Sequence, residues 1–131
     1  MVTFEECAQM LDEIADEMPY ELYRDLNCGI SLLPQHKVHP KSLHGELYIL
    51  GEYIRNSLGN AIVLYYGSIM RVYGRKSREE LYDALAHILH HEVRHHNEHL
   101  AGCDDLGLLD ERQINAYLDS GGKRFPKLGD L

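Results

Sequence analysis

The chain has 131 residues, 44% hydrophobic and 26% charged, the proportions of one ordinary globular domain that folds without disulfides. A formal charge of -8 at pH 7 argues against a nucleic-acid backbone or an anionic membrane as the main partner. No apolar run approaches the roughly 20 residues that span a bilayer. The opening MVTFEECAQM lacks the basic and apolar regions of a secretory leader, so a cytoplasmic protein is expected. Cys7, Cys28 and Cys103 form no CxxC pair and fit reduced thiols, Cys103 as a small buried hydrophobe.

In chain order, Thr3-Phe4-Glu5-Glu6 has the form of a capping box. Phe4, Ala8, Leu11, Ile14, Ala15 and Met18 follow at helical spacing until Pro19. A short helical turn is expected from Glu21 to Leu26, a turn at Asn27-Cys28-Gly29, and a strand from Ile30 to Leu33. The stretch from Pro34 to Glu46 reads as a loop. Leu47 to Leu50 and Ala61 to Tyr66 are the next expected strands, with turn chemistry at Ser57-Leu58-Gly59-Asn60 between them. Ser68 to Tyr73 fits a helix or a strand extension, and Gly74 breaks it. Ser77-Arg78-Glu79-Glu80 opens the longest helical pattern, which runs to about Ala101 with Gly102 as its natural terminator. A last short helix is expected from Asp110 to Leu118. Residues 1–120 are expected to form one α+β domain, with 121–131, including Pro126 and Gly129, as a loose tail.

The long helix holds the informative residues. Nine histidines are present, and six of them fall between His87 and His99, a cluster that asks for a chemical reason. His91, Glu92 and His95 form an HExxH. Residues four apart share one helical face, so two imidazoles can take two positions of a tetrahedral zinc, with the carboxylate beside the metal, ready to take a proton from bound water. On a helical wheel Leu81, Ala84, Leu85, Ile88, Leu89 and Val93 share an apolar arc, and Asp83, His90, Arg94 and Asn97 lie opposite. His91 and His95 fall at the border, while Glu92 falls inside the apolar arc. A buried carboxylate is costly without a partner, and a metal site supplies one. His96, on the apolar side, is expected to be a hydrogen-bonded core histidine and not a ligand.

A catalytic zinc needs a third protein ligand. The residues alone leave Glu98, His99, Asp104 and Asp105 open, because the helix must end near Gly102 before the chain can return to the metal. A di-iron site would need two Glu-x-x-His pairs, and only Glu92-Val93-Arg94-His95 is present.

Three segments carry a family likeness: Val2-Thr3-Phe4-Glu5-Glu6, Leu64-Tyr65-Tyr66-Gly67-Ser68, and His91-Glu92-Val93-Arg94-His95-His96 followed by Leu100-Ala101-Gly102. With them the chain resembles the minimal zincin-like metallopeptidases (minizincins), a small bacterial family. The resemblance implies a short β-sheet packed on a long HExxH helix with flanking helices. It also implies a zinc held by two histidines and an aspartate downstream of a glycine. The family pattern HExxHxxGxxD has its glycine three residues after the second histidine, whereas here Gly102 comes seven after His95. Counting three on from Gly102, the resemblance makes Asp105 the third ligand.

The function expected is a zinc-dependent peptidase, with Glu92 as general base and an extended peptide or protein substrate aligned on a strand edge, either Leu47–Leu50 or Ala61–Tyr66. Tyr65, Tyr66 and Tyr117 are candidate oxyanion donors. A non-catalytic zinc-binding domain of the same shape, and a metal-dependent hydrolase of another bond, are the alternatives.

Overall fold

The structure, a computed structural model, describes residues 1–125; Pro126 and Gly129 of the expected tail lie outside the described residues. Among the described residues four α-helices flank a three-stranded sheet, an α+β fold. Helix α1 (Phe4–Glu17) starts on the expected capping box, in which Thr3 Oγ1 accepts from Glu6 N and Glu6 Oε1 accepts from Thr3 N. Past Pro19 a single 3₁₀ turn, Tyr20–Tyr23, leads to β1 (Ile30–Leu33). Strands β2 (Gly51–Asn56) and β3 (Gly59–Tyr65) form a hairpin around Ser57 and Leu58. Strand β3 lies in the centre, parallel to β1 and antiparallel to β2, so β2 is an edge.

The second strand lies later than the pattern predicts. Leu47 to Leu50 pairs with the preceding loop instead, through an isolated bridge between Val38 and Tyr48 and the bonds His39 N to Leu47 O and Ile49 N to Lys37 O. Its apolar side chains Leu47, Ile49 and Leu50 are buried, which is the property the sequence pattern reports. The true edge strand, Gly-Glu-Tyr-Ile-Arg-Asn, is too polar to announce itself. Tyr66–Tyr73 resolves as helix α2.

Helix α3 (Arg78–Ala101) begins where Ser77 Oγ accepts from Glu80 N and ends at Gly102, whose φ of 76° is the left-handed value that favours glycine. Cys7, Met10, Leu11 and Ile14 of α1 pack against Leu81, Leu85, Ile88, Leu89 and Val93 of α3, with Ile62 and Leu64 of β3 beneath. Helix α4 (Asp105–Asp119) starts five residues earlier than the pattern predicts. Gly107 weakens the helical signal there. Of the expected tail, Gly121–Phe125 is fastened to the end of α4: His44 Nε2 bonds Gly121 O, Lys123 and Arg124 amides bond Ser120 Oγ, and Phe125 lies against Tyr117. No helix among the described residues is long and apolar enough to cross a membrane.

Strand β2 runs beside α3 in the same sense. Gly51 stands next to Ile88 and Glu92, Tyr53 next to His96, and Arg55 next to His99. The approach at Gly51 is tight: a Cβ there would lie 3.0 Å from Ile88 Cγ2 and 3.3 Å from the Val63 carbonyl oxygen. Gly51→Ala should therefore destabilise the fold by about 1–3 kcal/mol, the usual cost of overpacking. Urea unfolding that shows no loss would mean the strand can withdraw from the helix freely.

Candidate metal and catalytic site

The site forms where the middle of α3 faces α4 and the edge of the sheet. Glu92 is buried at 2% exposure, inside as the helical wheel predicts; His95 is half-buried at the lip, while His91, at 7%, lies deeper than the border position expected of it. Donor atoms of His91, Glu92 and His95 lie within 4.8 Å of one another. The two imidazole rings meet edge to face with centroids 4.8 Å apart.

An aspartate completes the cluster, and it is Asp110 of α4. Its Oδ2 lies 2.9 Å from His95 Nε2 and 3.4 Å from His91 Nε2. Asp105 is exposed at the first residue of α4, about 1.4 turns away on another face of that helix. The reason is axial. From His95, α3 continues six residues to Ala101, about 9 Å; from Asp105, α4 comes back five residues to Asp110, about 7.5 Å. Leu106 meets Glu98 while Asp110 meets His95, so α4 runs antiparallel and Asp110 arrives level with the histidine pair.

Signals for Asp110 were present in the sequence. It shares a helical stripe with Leu106, Ile114 and Tyr117, the buried residues of α4. A carboxylate in an apolar stripe is the same feature that singles out Glu92.

The other candidates have different tasks. Glu98 Oε1 accepts from the Leu106 amide at 2.9 Å and Oε2 from Arg94 Nε at 2.8 Å. His99 Nδ1 accepts from Arg55 Nη1, since a guanidinium only donates. Asp104 is exposed just before α4, and Cys103 is exposed instead of buried. His96 is fully buried with both nitrogens engaged, Nε2–H donating to the Arg24 carbonyl and Nδ1 bonding the Tyr53 hydroxyl. His87 and His90 are exposed, while Asn97 is half-buried and its amide donates to the Leu22 and Val93 carbonyls. The three candidate tyrosines are occupied elsewhere: Tyr65 donates to Glu52, Tyr66 to the Val2 carbonyl, and Tyr117 accepts from the Leu43 amide.

The donor set fits a divalent metal. Bonds of about 2.0–2.2 Å in tetrahedral geometry separate neighbouring ligand atoms by roughly 3.3 Å, and the observed 2.9 and 3.4 Å separations bracket that value. Glu92 Oε2 and Asp110 Oδ1 are buried without a hydrogen-bond partner, an arrangement that a cation would offset. Burial first, then the charges of Asp110 and Glu52, push the Glu92 carboxyl well above its ordinary range. Burial also acts to raise Asp110, but hydrogen bonds from His91 and His95 outweigh it and hold that carboxyl below its ordinary value. The cluster opens into a cleft of about 530 Å³, walled by Gly51, Tyr53 and Arg55 of β2, by Glu111 and Ile114 of α4, and by His39 and Lys41 of the loop.

The model of the zincin-like metallopeptidases matches residues 46–114, a span that includes β2, β3, the whole of α3 and the part of α4 that bears Asp110. The chain belongs to that family. A solved structure, a conserved hypothetical protein from Thermo thermophilus, is similar at 32% identity and a TM-score of 0.66, over 78% of this chain and 100% of the other. Among curated proteins none matches. Zincin-like membership implies a divalent metal, and His91, Glu92 and His95 are the group that could hold one.

Glu92 makes the metal-free zincin-like fold sensitive to pH. A carboxyl whose pKa is raised by folding contributes stability at low pH and loses it as pH rises through the folded value. With metal chelated, the melting temperature of Glu92→Gln should exceed that of the parent by a margin that grows from about pH 5 to about pH 8. A margin independent of pH would show that Glu92 does not ionise in a desolvated setting.

Proposed function

We propose that the chain is a zinc-dependent peptidase in which His91, His95 and Asp110 hold the metal and Glu92 is the general base. The observation that carries this reading is the convergence of two imidazole Nε2 atoms and a carboxylate oxygen beside a buried second carboxylate, at the mouth of a cleft. Asp110 takes the place that the family pattern would give to Asp105.

Zinc, when bound, supplies Lewis acidity that polarises a scissile carbonyl and acidifies water. Glu92 then accepts the proton of the attacking water and returns it to the departing amine. Burial raises the carboxyl above its ordinary range, the direction that makes a carboxylate a better proton acceptor. Edge strand β2 supports the peptide. Asn56 pairs with Gly59 across a two-residue turn, and the Tyr65 amide bonds the Leu50 carbonyl. The alternation of antiparallel pairing thus turns the backbone N–H and C=O groups of Gly51, Tyr53 and Arg55 away from β3, free to pair with an extended substrate. Strand Ala61–Tyr66, the other edge considered, occupies the sheet centre and cannot serve.

The protein should bind close to one zinc per chain, and His91→Ala with His95→Ala should abolish binding. Asp110→Ala should weaken zinc far more than Asp105→Ala; metal analysis with the reverse ranking would return the third position to Asp105. In a peptide-library digestion, Glu92→Gln should retain zinc while turnover falls by about 10²- to 10⁴-fold. Undiminished cleavage by Glu92→Gln would remove it as the base, and a zinc-loaded parent that cleaves nothing would leave a metal-binding domain without peptidase activity.

A further inference from the structure

We infer that Glu98 is a positioning residue for the metal, fixing Asp110 in register with His91 and His95 by anchoring the first turn of α4 to the last turn of α3. The inference rests on the reading of Asp110 as the third ligand. Residue 98 lies on the ligand side of α3, one turn after His95, where a carboxylate could be mistaken for a ligand. Its oxygens point elsewhere. Oε1 accepts the Leu106 amide at 2.9 Å, and Oε2 is held at 2.8 Å by Arg94 Nε one turn earlier on the same helix.

Helix α4 needs such an anchor. The residue before its first turn, Asp104, makes no side-chain cap, so the opening amides lack the usual local acceptor. Glu98 supplies one from the neighbouring helix, a charge-assisted bond at the positive end of α4. The Leu106 side chain is buried beside it, 2% exposed. One turn further along α4 stands Asp110, with Oδ2 between the two histidine nitrogens. A slip of α4 by one residue would move that oxygen about 1.5 Å along the axis and 100° around it, out of reach of both rings. The hydrogen bond at Leu106 is therefore the directional contact that, with the apolar packing of α4, fixes the register of the carboxylate on which both histidines converge.

The test is zinc affinity by chelator competition, with hydrogen exchange at the Leu106 amide read in parallel. Glu98→Ala should weaken zinc by about 10- to 100-fold, as loss of a supporting partner does, and should speed exchange at Leu106. Glu98→Gln keeps an oxygen that can accept from Leu106 and loses only the exposed pairing with Arg94, so it should stay within about threefold of the parent with Leu106 protected. Glu98→Asp keeps the charge but is one methylene short, and should behave like the alanine variant. Equal loss in Glu98→Gln and Glu98→Ala would overturn the inference in favour of the carboxylate acting on the metal itself. Parent-like affinity in Glu98→Ala, with Asp110→Ala strongly weakened, would overturn the anchor alone. Parent-like affinity in Asp110→Ala would instead remove the ligand assignment beneath it.

Discussion

The helix that carries HExxH runs well past its two motif histidines, and the path back depends on matching that overshoot. Helix α3 runs six residues beyond His95, and the chain reverses through the left-handed Gly102. Helix α4 must then return by a similar axial distance before any of its side chains can stand beside the histidines. Asp110 meets that condition, and residues near the start of α4 do not. The same reversal lays Ile114 and Tyr117 onto Leu47, so the helix that delivers the carboxylate is also held by a small apolar cluster of its own.

The site concentrates charge where the fold has little water. Glu92 sits at 2% exposure with one oxygen lacking a partner, and Asp110 has another. In a domain of ordinary stability such groups oppose folding, and the surrounding core carries that cost. Thirteen buried residues, most of them from α1, α3 and β3, form one cluster that includes Ile88, the neighbour of Gly51 beside Glu92. Gly51 adds to the desolvation, because a strand without a side chain there can close on Ile88 and Glu92. The features that raise the Glu92 pKa are thus features of packing and not of the HExxH residues alone.

Much of this was legible in the sequence, and the parts that were not share a cause. The helical wheel located Glu92 inside and His91 and His95 at the border because a 24-residue helix has a strong, continuous period. His96 was legible for the same reason. Strand β2 leaves no pattern in the sequence because its residues are mostly polar and its packing comes from α3, a long-range contact with no local trace. The first five residues of helix α4 carry no clear helical signal because Gly107 weakens their propensity and their cap comes from Glu98, across the turn and on another helix. The early helix start also changes where Asp105 stands relative to His91 and His95. Counting from Gly102 treats Asp105 as a turn residue, whereas the same count inside a helix rotates it away from the metal.

The six clustered histidines divide by the geometry of one helix. His95 lines the cleft with His91 buried beside it, His87 and His90 are exposed, and His96 and His99 face the edge strand, where Tyr53 and Arg55 reach them. The last pair matters for more than packing. A strand edge can align a peptide only if its outward groups stay outward, and a slip of β2 by one residue would exchange every inward group for an outward one. The two-residue turn at Ser57-Leu58 fixes the register against β3. The Tyr53–His96 bond at 2.7 Å fixes it against α3. The same alternation that turns the backbone of Gly51, Tyr53 and Arg55 toward the cleft sends their side-chain positions to α3, so the histidines on that helix hold the strand in the one register that leaves its edge available.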